Sequence, residues 1–292
     1  MLSYQHEYHA GNFADVLKHC CLLEILSSLA QKEKPFTIID THAGSSIYSL
    51  NDERILKTLE AENGIEKLLQ FTRDRQTPLP HSVTLYLEKE TPFIQNDNYA
   101  GSPELERQFI RENDVLHLVE LHPEAYRKLQ DNIDSIKDKN QSIHIHNSDS
   151  FATLNALTPP KIKRGLILCD PSYEDKDDFR KTATALINAH KKWNTAIIAV
   201  WYPLLTRRQN EINQMTAALE TAAKTGNNPC TVYKCELSIY DSDSIPEEMS
   251  EQKASHMYGS GMFIINPPWQ LDSKMNETLG FLKSVFCSSQ AQ

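Results

Sequence analysis

No apolar run in this chain approaches the roughly 20 residues that a membrane span needs. The opening residues, MLSYQHEYHAGN, are polar and lack the apolar stretch of a signal peptide. There is no C-x-x-C pair, and the six cysteines (Cys20, Cys21, Cys169, Cys230, Cys235 and Cys287) suggest no disulfide framework. Together these absences predict a cytoplasmic protein with buried or free thiols. A basic excess is missing too, since the net charge is −9. That argues against a wide, nonspecific hold on nucleic acid, which depends on neutralising phosphates. Local basic patches remain at Lys161, Lys163 and Arg164, at Arg207 and Arg208, and at Lys18, Lys32 and Lys34. Taken alone, each reads as a solvated face. Internal repeats and low-complexity tracts are absent as well.

The 292 residues lie near the upper limit for one hydrophobic core, which predicts one large domain or a domain with an insertion. Val16, Leu17, Cys20, Leu23, Leu26 and Leu29 recur at helical spacing, predicting a helix from 13 to about 33 with Asn12 as its N-cap. FTIID at 36–40 reads as a strand that runs into the small-residue turn THAGSS. Residues 51–98 are mostly polar and helix-like, and are expected to form an inserted helical subdomain. Strands follow at 115–121, 142–149, 164–170 and 195–203, with helical patterns after the first, third and fourth. TVYKCELSIY and GMFIINPPW are the last two strands, and the long segment between them allows an antiparallel pair at the sheet edge. Alternating strands and helices predict an α/β doubly wound fold. Residues 1–50 and 99–292 would form its main domain.

Ligands of open α/β sheets bind at the carboxyl ends of the strands. Four strand ends here carry distinctive residues: DTHAGSS, VELHP, HNSDS and CDPSY. Glu120, ending the second of these strands, could accept from the two hydroxyls of a ribose. Asp149 could accept from an adenine amino group, and a turn at Gly44 would let backbone approach a nucleoside cofactor closely. Each signal alone is weak, because strand-end acids often face solvent. Four in order along one edge are harder to explain that way.

In Asp170-Pro171-Ser172-Tyr173, the proline stiffens the backbone. The Asp170 carboxylate and the Pro171 carbonyl could then grip the two hydrogens of an exocyclic amine. Tyr173 could stack on a base swung out of its helix. Such a pair suits methylation of an amino nitrogen that is a poor nucleophile. Asn266-Pro267-Pro268-Trp269 matches that pattern better as a string. It follows the last strand, though, which should run antiparallel and end away from the cofactor edge, so it reads as a structural turn with a packing Trp. His6, His9, His19 and His42 with Cys20 and Cys21 bring metal ligation to mind. His19 and Cys20 point to different helix faces, and no metal site is expected.

The residues MLSYQHEYHAGNFADVLKH, PFTIIDTHAG, GSPELERQ, VELHP, RGLILCDPSY, VWYP and INPPW together resemble the RlmJ family of bacterial 23S rRNA adenine-N6 methyltransferases over nearly the whole chain. The resemblance implies a Rossmann-like class I methyltransferase fold, with a seven-stranded, mostly parallel sheet. It implies S-adenosyl-L-methionine as methyl donor and an adenine of 23S rRNA as acceptor. It also implies that residues 1–34 form a tail and helix over the cofactor site. His19, His42 and Ser102 would then line that site, with Glu120 on the ribose and Asp149 and Ser150 on the adenine side. Asp170 would be the catalytic acceptor at the methyl donor, Tyr4 would touch the RNA, and Lys18 would lie nearby. The sequence departs from the family pattern at Ser172, commonly proline, and in GSSIY after the first strand. Methylation of a DNA adenine or a protein glutamine amide would use the same acceptor geometry, and only the whole-chain resemblance favours rRNA. A non-catalytic RNA-binding module is the reading from another class, and the joint presence of Asp170, Tyr173 and Glu120 speaks against it.

Overall fold

The computed structural model describes residues 9–73, 78–225, 228–240 and 256–287. Helix α1 (Phe13–Ala30) leads into strand β1 (Thr37–Asp40) and a short strand β2 (Ile47–Ser49). Helices α2 (Glu53–Thr58), α3 (Lys67–Arg73) and α4 (His81–Ile94) follow, with a π-helical turn (Glu62–Glu66) before α3. Strand β3 (Asn98–Ala100) then returns to pair antiparallel with β2. After it come α5 (Ser102–Arg107), β4 (Val115–Val119), α6 (Pro123–Ile136), β5 (Ser142–His146), α7 (Ser150–Leu157) and β6 (Gly165–Cys169). The chain continues through α8 (Lys176–Lys192), β7 (Ile197–Leu205), α9 (Gln209–Lys224), β8 (Val232–Ser238), β9 (Met257–Ile265) and α10 (Leu271–Phe286).

Seven strands form one sheet in the order β5-β4-β1-β6-β7-β9-β8. The first five are mutually parallel, and β9 runs antiparallel between β7 and β8. This is the expected Rossmann-like sheet with its antiparallel last pair. The chain builds outward from β1 in one direction through β4 and β5, and in the other through β6 and β7. The carboxyl ends of β1 and β6 therefore flank the point where strand order reverses, the usual ligand position in such sheets.

The central strands are buried on both faces, as a parallel sheet between helical layers requires. Alternation along each strand divides the core. Ile38, Leu166 and Leu168 join one cluster with α1 and α10, while Ile39, Ile167 and Cys169 join another with α8 and α9. Helix α1 is buried nearly all round, including its polar Asp15, Lys18 and Glu24. The inserted helices do not build a core of their own. Ile55, Ile65, Leu68, Val83 and Tyr86 share the cluster that holds α1. No helix among the described residues is long and apolar enough to cross a membrane.

The turn after β9 lies at the sheet edge opposite the carboxyl ends of the parallel strands. Asn266 adopts a left-handed backbone, φ 56°. Its amide donates to the carbonyls of Asn194 and Ala196, both at 2.8 Å, and so pins the segment entering β7. Trp269, expected to pack, is instead 87% exposed, because α10 begins two residues later and turns the ring outward. Asn266→Ala should remove two hydrogen bonds of about 0.5–1.5 kcal/mol each. It also places a side chain less tolerant of the left-handed region. The urea midpoint should fall by the equivalent of about 2 kcal/mol with an unchanged slope. An unaltered midpoint would mean the turn is not a fastening.

Candidate active site

A cleft of about 870 Å³ opens over the carboxyl ends of β1, β4 and β6. It is within the range of small-molecule and cofactor sites. Each of its walls is set by where a strand stops.

On the β4 side, Glu120 is fixed by main-chain donors. The Gly44 N–H donates to its Oε2 at 2.8 Å, and the His122 N–H to its Oε1 at 2.7 Å. Burial raises the Glu120 carboxyl above the ordinary range, while these two bonds act the other way. A carboxylate has about four acceptor sites, so both oxygens keep capacity for a ligand in the cleft. Gly44 has φ 64°, and a Cβ there would come within 2.2 Å of the Tyr48 hydroxyl. The turn therefore demands glycine. Beyond Glu120, Leu121 lines the cleft while remaining 40% exposed, with Phe151 also on the wall. Asp149 and Ser150 complete that wall. Asp149 caps α7 by accepting from the Ala152 N–H at 2.8 Å. The wall thus sets the apolar side chains of Leu121 and Phe151 beside the carboxylates of Glu120 and Asp149, a mix of groups suited to a nucleoside.

At the end of β1, Asp40 is buried and accepts from Ser102 Oγ at 2.7 Å and from the His42 N–H at 3.1 Å. Burial pushes its carboxyl up to about 6, against the pull of those two donors. His42 lines the cleft, shares a 2.8 Å hydrogen bond with Thr41 Oγ1, and meets Phe151 edge-on. Burial pushes its imidazole down to about 4, despite Asp170 and Asp149 nearby, so it is neutral at pH 7. His19, on α1, is fully buried at the back of the cleft. Its Nδ1 and the Tyr99 hydroxyl share a 2.8 Å bond, and the two rings stack.

On the β6 side stands Asp170. Lys18 Nζ donates to its Oδ2 at 2.6 Å and also meets Asp15 Oδ1 at 2.7 Å. Burial alone would lower the Lys18 ammonium, but the two carboxylates carry it above its ordinary value. Lys18 is thus no freely displayed RNA contact. Its side chain is 5% exposed and its head group is committed to Asp170. Asp170 Oδ1 accepts no hydrogen bond among the described residues and belongs to a side chain that lines the cleft, beside Pro171 and Ser172.

Tyr173 departs from expectation. Its ring is 5% exposed and stacks on Phe179 at 4.3 Å, and its hydroxyl donates to the Trp201 carbonyl at 2.9 Å. A left-handed backbone at Tyr173, φ 51°, turns the side chain under the loop and away from the cleft. In this arrangement the ring offers no face to a base. Tyr4 lies outside the described residues. The structure gathers His19, His42, Ser102, Glu120, Asp149, Ser150, Asp170 and Lys18 around one cleft. Asp15, Asp40 and Tyr99 were missed by sequence reasoning. Asp40 ends a buried strand, so the strand-end argument applied to Glu120 would have found it. Asp15 stands three residues after the N-cap Asn12 and three before Lys18, a helical pairing distance, so its place in the first turn was legible but its contact with the site was not; nothing in the sequence marks Tyr99. Among the described residues no group of three or more His, Cys, Asp or Glu is placed to hold a metal ion.

Comparison with known proteins bears on this geometry. The family described as ribosomal RNA large subunit methyltransferase D, RlmJ, matches residues 33–292. The chain is 38% identical to ribosomal RNA large subunit methyltransferase J of Escherichia coli (strain K12), over 97% of this chain and 94% of that protein. Identity to the protein of the same name from Haemophilus influenzae is also 38%, over 97% and 93%. A crystal structure of a Legionella pneumophila protein superposes with a TM-score of 0.80 at 31% identity, covering 96% of this chain and 95% of that one.

Beneath the floor of the cleft, Glu106 on α5 is fully buried, and neither carboxylate oxygen has a hydrogen-bond partner among the described residues. Burial, reinforced by Asp40, raises its carboxyl well above the usual range. In the unfolded chain it ionises near pH 4.3. The folded state keeps a proton that the unfolded state gives up above that pH, so the wild type loses stability as pH rises. Glu106→Gln carries no such loss. Thermal melts should show the variant more stable at pH 8, with the gap closing toward pH 4. Coincident melts at pH 8 would show that the buried carboxyl is compensated.

Proposed function

The chain belongs to the RlmJ family of ribosomal RNA large subunit methyltransferases, and on that footing we propose that it moves a methyl group from S-adenosylmethionine to N6 of an adenine in 23S rRNA. The observation that carries this reading is the pairing, in one cleft, of Asp170 with a wall suited to a nucleoside. Residues 1–50 and 99–292 act as the catalytic domain in this reading, with 51–98 as its insertion. The reaction belongs in the cytoplasm, where rRNA is made.

Bound cofactor supplies an electrophilic methyl group. Glu120 would hold the ribose hydroxyls, and Leu121 and Phe151 would offer apolar surface to the adenine, with Asp149 and Ser150 beside it. Ser102, held by Asp40, would orient the amino-acid end, with His42 and His19 nearby. An unpaired or flipped-out adenine enters from the Asp170 side, at a cost of a few kcal/mol for unstacking. Asp170 Oδ1 and the Pro171 carbonyl accept its two N6 hydrogens. This would steer the nitrogen lone pair toward the methyl group; as the N–C bond forms, the bond from methyl to sulfur breaks, the sulfur leaves as the thioether of S-adenosylhomocysteine, and one N6 proton passes by way of Asp170 Oδ1 to water. Lys18 keeps Oδ2 occupied, which aims Oδ1 at the amine. Most of the rate gain then comes from positioning. Tyr173 serves as an anchor in this account. Its ring under the loop and its bond to the Trp201 carbonyl hold the turn that presents Asp170.

Asp170→Asn should lower single-turnover methylation of a 23S rRNA fragment by at least about 100-fold, the scale of losing an oriented polar group at a reacting centre. Cofactor affinity by calorimetry should change little. Retained turnover would remove Asp170 from the chemistry. Glu120→Ala should weaken S-adenosylmethionine binding by about 1.5–3 kcal/mol, the worth of hydrogen bonds to a charged acceptor. An unchanged Kd would place the ribose elsewhere.

A further inference from the structure

One carboxylate of the insertion holds two side chains of the segment that enters α1. Glu60, between α2 and the π-helical turn, bonds His9 Nδ1 through Oε1 and accepts from Asn12 Nδ2 through Oε2, both at 2.8 Å. Asn12 is the N-cap of α1, and its Oδ1 accepts from the N–H groups of Ala14 and Asp15. Backbone contacts reinforce the junction. The Ile65 N–H donates to the Gly11 carbonyl at 2.8 Å. A Cβ on Gly64 would lie 2.0 Å from that same oxygen, so the two chain segments touch as closely as glycine allows.

This junction is one turn away from the active-site charges. Asp15 accepts from the Gly11 N–H with Oδ2 at 2.9 Å and holds Lys18 with Oδ1 at 2.7 Å. Lys18 in turn holds Asp170. A continuous polar path therefore runs from Glu60 through Asn12 and Asp15 to Lys18 and Asp170. We propose that Glu60 is a positioning residue: by clamping His9 and Asn12 it fixes the first turn of α1, and thereby where Lys18 presents itself to Asp170. The insertion thus contributes to catalysis by aligning α1, without touching substrate. The kinetic part of this proposal rests on reading Asp170 as the amine acceptor, and the labelling part does not.

The effect should be specific because the path is narrow. Losing the Glu60 carboxylate frees one side of the cap and leaves the apolar contacts of α1 with the sheet in place. Glutamine should largely substitute. Its carbonyl can accept from Asn12, and its amide can donate to Nδ1 of a neutral His9.

The test compares full-length wild type with Glu60→Ala and Glu60→Gln. Lysines are methylated reductively, and the rate at each site is read by peptide mass spectrometry. Lys274, paired with Glu24 on the far side of α1, is the internal control. Lys18 should be labelled at least about tenfold faster in Glu60→Ala and at the wild-type rate in Glu60→Gln, with Lys274 unchanged in both. On a 23S rRNA fragment, kcat of Glu60→Ala should fall at least fivefold with an unchanged KM for S-adenosylmethionine, and Glu60→Gln should recover it. Continued protection of Lys18 in Glu60→Ala would overturn the proposal. So would parallel acceleration at Lys18 and Lys274, which would mark a general loosening. A wild-type protein that shows the labelling pattern but no methylation would overturn the functional reading and leave the clamp standing.

Discussion

A buried ammonium must be paired, and that requirement organises the centre of this molecule. Lys18 lies inside the protein with Asp15 on one side and Asp170 on the other. Removing Lys18 would leave two carboxylates side by side without their cation, and breaking a buried pair in this way typically costs about 3–5 kcal/mol. The helix that carries Lys18 is therefore tied to the end of β6 electrostatically as well as by packing. Because α1 is covered by the insertion and by α10, both of those elements share in holding the pair in place.

The cleft repeats one device on a smaller scale. Its acids are held by main-chain or short side-chain donors: Glu120 by two N–H groups, Asp40 by Ser102 and an N–H, and Asp149 by the start of α7. Bonds of this kind orient a carboxylate without covering all of its acceptor capacity. Burial then sets the protonation states around them, leaving His42 neutral and Asp40 close to titration. The site is rigid where a cofactor would be recognised and charged where an amine would be gripped.

Much of this was legible in the sequence, for a definite reason. Parallel strands buried on both faces read as apolar runs, and their ends are the first positions free to be polar. Glu120, Asp149 and Asp170 could be picked out one by one. The role of Lys18 could not, because its partner Asp170 is 152 residues away and no local pattern encodes the pairing. The insertion was readable as helical but not as a wall of α1, since an amphipathic pattern does not name the surface it will cover. Tyr173 was misjudged because its direction depends on a positive φ that the letters D-P-S-Y do not disclose. Strand direction was legible too: β9 runs antiparallel to β7, and the Asn266 turn lies away from the cleft that Asp170 lines. The exposure of Trp269, however, depends on how α10 begins.

The first described helix is closed in by the last. Phe13 meets Phe286 at 6.3 Å, and Lys67 reaches the carbonyl of Phe286. During synthesis the ribosome releases α1 long before either β6 or α10 exists to receive it. Lys18 therefore meets its second carboxylate only after a further 152 residues have been made. A chain that binds RNA prematurely would do so without its assembled acceptor loop. The cleft is therefore complete only when the two ends of the described chain have come together around α1.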